Sequence, residues 1–191
     1  MCRPIRSKID IILSLLEAMS LILSRIELPD CGRYLTLSIC KHSRFVVRLP
    51  NKITSFAVPF TYHNEHEDCE FRCSTYGKID SKVLSDLRQV FTCEYLEKSP
   101  IDLIDFIEEL QPGRSELWNL VQKLFLYDCG YLRYDIDSNA SRIDEKLHPL
   151  YHLDIFHANH STFKLGLEYS IVESQFIDLL DVRTDCGFVK I

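Results

Sequence analysis

Residues 148–168 read HPLYHLDIFHANHSTFKLGLE, and their alternation decides the fold. Successive strand side chains point to opposite faces, so Tyr151, Leu153, Ile155 and His157 go one way. His152, Asp154 and Phe156 go the other. Ala158, Asn159, His160 and Ser161 suit a turn, since Asn tolerates left-handed geometry and Ser hydrogen-bonds its own backbone. The return strand sets Phe163, Leu165, Leu167 and Tyr169 against Thr162, Lys164, Gly166 and Glu168. The preceding run 131–137, YLRYDID, sorts the same way: Leu132, Tyr134 and Ile136 against Tyr131, Arg133, Asp135 and Asp137. Together the runs predict an antiparallel sheet with one apolar and one polar face.

If the apolar sets share a core, the other face gathers Arg133, Asp135, Asp137, His152, Asp154, Lys164 and Glu168. Asp is depleted in strands because its short side chain competes for backbone hydrogen bonds. Three Asp and a His on neighbouring strands suit a hard divalent cation such as Mg²⁺ or Mn²⁺. Asp135, Asp137, Asp154 and His152 are then the expected ligands, with His152 as ligand or general base. Arg133 and Lys164 would hold a substrate phosphate. The plainer reading is a polar face turned to water.

The length of 191 residues suits one α+β domain, 1–191, and 46 % apolar with 26 % charged residues is ordinary for a globular chain. A net charge of −6 argues against broad, charge-driven nucleic-acid binding, though not against a local grip on a nucleic acid. Eight Cys would be a disulfide framework in a secreted protein. The start, MCRPIRSKID, lacks a signal-peptide layout, so the expected setting is the reducing cytoplasm, with thiols as small buried hydrophobes.

Along the chain, 5–27 reads as a helix opened by Ser7 with Asp10, and Pro29 follows its end. Its wide apolar stripe (Ile9, Ile12, Leu13, Leu16, Met19, Leu23, Ile26) is interrupted by Asp10, Glu17 and Arg25, so it does not span a bilayer. Such a stripe is either core or a docking surface for a protein partner. Strands are expected at 34–40, 45–49, 53–61 and 71–76. Helices are expected at 81–93, 102–110 and from 115 to about 127, then the 131–169 sheet, a helix at 173–181 and a strand-like tail. This order lacks strict β–α alternation, which favours α+β: antiparallel sheets packed with an N-terminal helix and a central helical block.

Other motifs carry less. His63, His66, Cys69 and Cys73 offer a tetrahedral zinc set, but their spacing is continuous rather than two separated pairs. No G-x-S-x-G elbow, phosphate loop or dinucleotide fingerprint occurs. A familiar nuclease arrangement places Asp on one strand and Glu/Asp-x-Lys on the next. Asp154 followed by Thr162-Phe163-Lys164 has the Asp and the Lys, with Thr where the second acid belongs, so Asp135 or Glu168 would have to supply it. His148-Pro149 reads as an entry turn.

From Tyr131 onward the chain resembles a family of uncharacterised bacterial proteins, domain of unknown function 2290. The carriers are Arg133-Tyr134-Asp135, His148-Pro149-x-x-His152-x-Asp154-Ile155 and a late helix with Phe176-Ile177, about the last third of the chain. The chain departs from that pattern in having Asp154 where the family carries a second His, and Asp181-Val182-Arg183 in place of an aromatic helix end. The resemblance implies a small bacterial protein carried with mobile or defence-type genes, and it implies no activity.

Two readings follow. One is a metal-assisted phosphodiesterase or nuclease using the polar sheet face. The other is a non-catalytic module, an adaptor, antitoxin-like protein or complex subunit, that binds a protein through the N-terminal helix or the acidic run 65–70.

Overall fold

The computed structural model describes residues 5–25, 34–39, 43–65, 68–98, 100–113, 115–139, 141, 143–144, 146–158 and 161–185. Among them the order is α1 (Lys8–Leu23), β1 (Tyr34–Ile39), β2 (Ser43–Leu49), β3 (Lys52–Ala57), β4 (Thr61–Glu65), β5 (Asp68–Cys73) and β6 (Gly77–Ile79). Then come α2 (Ser81–Thr92), α3 (Tyr95–Lys98), α4 (Pro100–Leu110), α5 (Ser115–Leu126), β7 (Leu132–Ile136), β8 (Tyr151–Ala158), β9 (Ser161–Gly166) and α6 (Glu173–Asp178). Both sheets are antiparallel, and the fold is α+β. No helix among the described residues is long and apolar enough to cross a membrane.

Where the composition suggests one domain, the contacts divide the chain into two compact units, each built from separate segments. One comprises Met1–Glu27 and Val58–Cys129, the other Leu28–Ala57 and Gly130–Ile191. No Gly- or Ser-rich linker marks the junctions, so nothing in the composition announces them.

In the first unit the Ser7 hydroxyl accepts from the Asp10 amide at 3.2 Å, while the Asp10 carboxylate accepts from the Ser7 amide at 2.9 Å. This reciprocal cap satisfies two amides that the first turn leaves without partners. The helix stops at Leu23, short of the expected 27, and Arg25 takes a left-handed conformation with φ 50°. Ile11, Ile12, Leu15, Leu16 and Met19 are wholly buried, and α1 packs on α2 and β5. Ile12, Leu16 and Met19 of the apolar stripe are therefore core rather than a free docking face, Ile9, Leu13 and Leu23 are half-buried, and Ile26 lies outside the described residues. The expected strand 53–61 is two strands in different sheets, because the chain breaks at Val58-Pro59, where proline has no N–H to donate. The 71–76 run ends at Cys73, and Gly77 (φ 96°) opens β6 after the turn.

The second unit is a six-stranded sheet in the order β1-β2-β3-β7-β8-β9. Residues 58–129 are thus inserted between two strands that lie side by side. Residues opposite each other in an antiparallel pair share a face. Val46, Ile53, Tyr134 and Leu153 therefore fall together, and Phe176 of α6 closes over them. The other face carries Phe45 and Phe56, with ring centroids 5.9 Å apart, and the charged residues of β7, β8 and β9. The turn residues 159–160, the His157 side chain and the tail 186–191 lie outside the described residues.

Candidate metal centre

In the sheet, Arg133 lies opposite Asp154, Asp135 opposite His152, and Asp154 opposite Lys164. Five charged or polar side chains from three strands thus share one face, in the grouping that the alternation predicts. Much of that face is not wet. His152 is 1 % exposed, Asp154 6 % and Asp135 8 %. Burying a carboxylate costs several kcal/mol unless it is paired and hydrogen-bonded.

Arg133 supplies the pairing. Its Nε donates to Asp135 Oδ2 at 2.7 Å, its Nη2 to Asp135 Oδ2 and Asp154 Oδ2, and its Nη1 to the Tyr131 hydroxyl at 3.3 Å. Burial works against the guanidinium charge, but Tyr131, Asp135 and Asp154 outweigh it and hold the pKa above its ordinary value. Burial likewise pushes the Tyr131 phenol up to about 12. Arg133 is thus committed to its neighbours rather than presented to a phosphate. Lys52, on β3 opposite Asp135, brings its Nζ to 3.5 Å from Asp135 Oδ1.

Three buried atoms remain without a hydrogen-bond partner here: Asp135 Oδ1, Asp154 Oδ1 and His152 Nε2. One ligand atom from each residue lies within 4.8 Å of those of the other two, and the group can hold a metal ion. His152 Nε2 is 3.7 Å from Asp135 Oδ2 and 3.9 Å from Asp154 Oδ1, too long for hydrogen bonds. Ions bound at roughly 2.0–2.2 Å set neighbouring ligand atoms about 3 Å apart, so a bound ion would draw the three side chains closer together than they stand here. The His152 tautomer suits the role. Nδ1 is 2.8 Å from the Pro149 carbonyl, which can only accept, so Nδ1 carries the proton and the lone pair is left on Nε2.

The other expected residues are placed differently. Asp137 follows the end of β7 and is not one of the three grouped residues; its Oδ2 accepts from His148 Nε2 at 2.8 Å. Lys164 is exposed and donates to His148 Nδ1, so Asp137, His148 and Lys164 form a chain beside the centre. His148, read from the sequence only as part of a turn, also brings its ring to 4.7 Å from that of His152. Glu168 lies beyond β9, is exposed, and takes no part in the group.

The expected zinc set does not assemble. Cys69 and Cys73 sit four residues apart on β5, about 13 Å at strand rise, too far to share an ion. His63 pairs with Glu70 and so takes the opposite face. The Cys69 thiol donates to the Ile22 carbonyl at 3.7 Å, and Lys123 Nζ lies 3.6 Å from Cys73 Sγ. His66 lies outside the described residues. Cys69, Cys73, Cys93 and Cys129 are thiols, not disulfide halves.

Lys52 and the Pro149 carbonyl are parts of the centre that sequence pattern cannot supply. Lys52 arrives by a strand pairing across the 58–129 insertion, and a carbonyl has no residue-type signature. No protein-family model, no curated protein and no solved structure matches the chain.

Proposed function

We propose that the chain is a metal-assisted phosphodiesterase or nuclease, with Asp135, His152 and Asp154 holding a divalent cation. The observation that carries this is the gathering of three buried ligand residues on one sheet face, each keeping a buried atom that no hydrogen bond uses. A cation bound there supplies Lewis acidity to a phosphoryl oxygen and a water of lowered pKa. Arg133 orients both carboxylates by holding their outer oxygens, a supporting role rather than the phosphate clamp that its sequence position suggests. Lys164, exposed and opposite Asp154, is the cation of this face that meets an incoming phosphate. The resemblance in Arg133-Tyr134-Asp135 and His148–Ile155 supports a setting among bacterial mobile or defence-type genes.

The test is elemental mass spectrometry after incubation with Mn²⁺, Zn²⁺ or Mg²⁺, on wild type and on His152→Ala/Asp154→Ala. Hydrolysis of bis(p-nitrophenyl) phosphate and of single- and double-stranded DNA follows. Metal bound by wild type and lost in the double variant, with cleavage lost in Asp154→Ala, supports the reading. Cleavage retained in Asp154→Ala overturns it.

A second reading has its own observation. Arg133 and Lys52 already balance the two carboxylates, as they would in a metal-free structural network of a non-catalytic module. A wild-type protein that retains no metal in the mass spectra would favour that reading, and the partner surface would then lie elsewhere than on the buried residues of α1.

A further inference from the structure

We infer that Gly166 and Pro149 are positioning residues that present His152 Nε2 as a ligand, so that the centre takes a nitrogen-accepting first-row transition ion rather than Mg²⁺ or Ca²⁺. This rests on the metal reading above and adds the class of ion.

His152 and Gly166 are directly paired between β8 and β9 and share a face. A Cβ added at Gly166 would lie 3.0 Å from Pro149 Cγ and 3.8 Å from Pro149 Cβ. The proline ring thus fills the space where a side chain at 166 would stand. Gly166 is not among the glycines with positive φ, so it is needed for room rather than for backbone freedom. That room lets the Pro149 carbonyl reach His152 Nδ1 at 2.8 Å.

The neighbours of Pro149 hold it there. Asp144 and His148 exchange backbone hydrogen bonds of 3.0 and 2.8 Å, and the His148 ring is tied to Asp137. Two backbone features, a missing side chain and a placed carbonyl, therefore fix which imidazole nitrogen faces Asp135 and Asp154. An imidazole nitrogen with its lone pair so directed suits Zn²⁺, Fe²⁺ or Ni²⁺, and Mn²⁺, though it prefers oxygen, accepts one beside carboxylates more readily than Mg²⁺ and Ca²⁺ do.

The experiment joins long-range ¹H–¹⁵N correlation of the imidazoles with metal titration, in wild type, Gly166→Ala and Gly166→Ala/Pro149→Ala. Spectra are recorded on metal-free protein above the imidazole titration range. Wild-type His152 should show the Nδ1–H tautomer and bind Mn²⁺ or Zn²⁺ against excess Mg²⁺. Gly166→Ala should shift His152 towards the Nε2–H tautomer and weaken Mn²⁺ and Zn²⁺ binding about 10- to 100-fold, the range for losing an outer-shell partner. The double variant returns the space and should recover both. If Gly166→Ala unfolds, Pro149→Gly, which frees the backbone carrying the carbonyl where alanine still restrains it, should give the same tautomer shift. Wild-type Mn²⁺ binding with an Nε2–H tautomer, or a Gly166→Ala protein identical to wild type, overturns this inference and leaves the metal centre standing. An Nδ1–H tautomer in a wild type that binds neither Mn²⁺ nor Zn²⁺ overturns the metal centre, and the ion class with it.

Discussion

Arg133 lies opposite Asp154 in the β7–β8 ladder, and its guanidinium takes Oδ2 of Asp154 and of Asp135 together. Each carboxylate keeps one buried oxygen that no hydrogen bond uses. Removing the cation of a buried network leaves uncompensated charge, a loss of about 3–5 kcal/mol. Arg133→Gln should therefore lower the melting temperature sharply in chelator. Because a ligand at 100 times its Kd adds about 2.7 kcal/mol, Mn²⁺ should restore much of the loss. Thermal melts of both proteins with and without Mn²⁺ check this. A variant that Mn²⁺ does not rescue argues for a purely structural network.

Lys52 competes with a cation for Asp135 Oδ1, from 3.5 Å and with a side chain 40 % exposed. A pair that open to water is worth about 0.2–1 kcal/mol. Lys52→Ala should thus tighten metal binding by up to about five-fold, more at low ionic strength than at high. Titration at two salt concentrations reads it, and an unchanged or weakened affinity counts against a cation beside Asp135.

The Tyr131 phenol, raised by burial from 10.0 to about 12, makes the fold sensitive to alkali. The unfolded chain ionises first, so the contribution is intact below about pH 10 and is lost as pH rises towards 12. A two-unit gap corresponds to roughly 2–3 kcal/mol at most. Urea unfolding across this range should show a steeper decline for wild type than for Tyr131→Phe. Equal slopes would mean that the phenol is not held neutral.

Leu16 is wholly buried on α1. Leu16→Glu places a carboxylate among apolar side chains and should unfold the first unit, with loss of helical circular dichroism at 25 °C. A folded variant that loses only an oligomeric state would return α1 to the role of docking surface.

The polar grouping was legible because strand parity does not depend on distance along the chain. Once 131–137, 151–157 and 162–168 are strands, Arg133, Asp135, His152, Asp154 and Lys164 must share a face if the apolar sets do. Parity also explains the misplaced Asp137. It has the same parity as Asp135, but β7 ends at Ile136, and beyond a strand end the rule no longer directs side chains. Burial of the group was not legible. A row of charges on one sheet face reads as solvated until its neighbours are known, and β3 joins it only through long-range pairing. The two-unit division escaped for the same reason, since β3 and β7 are neighbours in space but not in sequence.

That insertion has a consequence for synthesis. As the chain leaves the ribosome, α1 emerges before β1, β2 and β3, yet the helix and strand it packs on, α2 and β5, follow only after them. The apolar side of α1 stays uncovered through that interval. β3 then waits for β7, with Ser55 and Leu132 about 77 residues apart, before its second edge is paired. Neither unit completes its core early, and both close only when the later segments arrive. A chain of this design is most exposed to mispairing midway through translation, when a sticky helix and an open strand edge coexist. Pausing or truncation between residues 57 and 130 should therefore yield aggregates rather than a folded fragment.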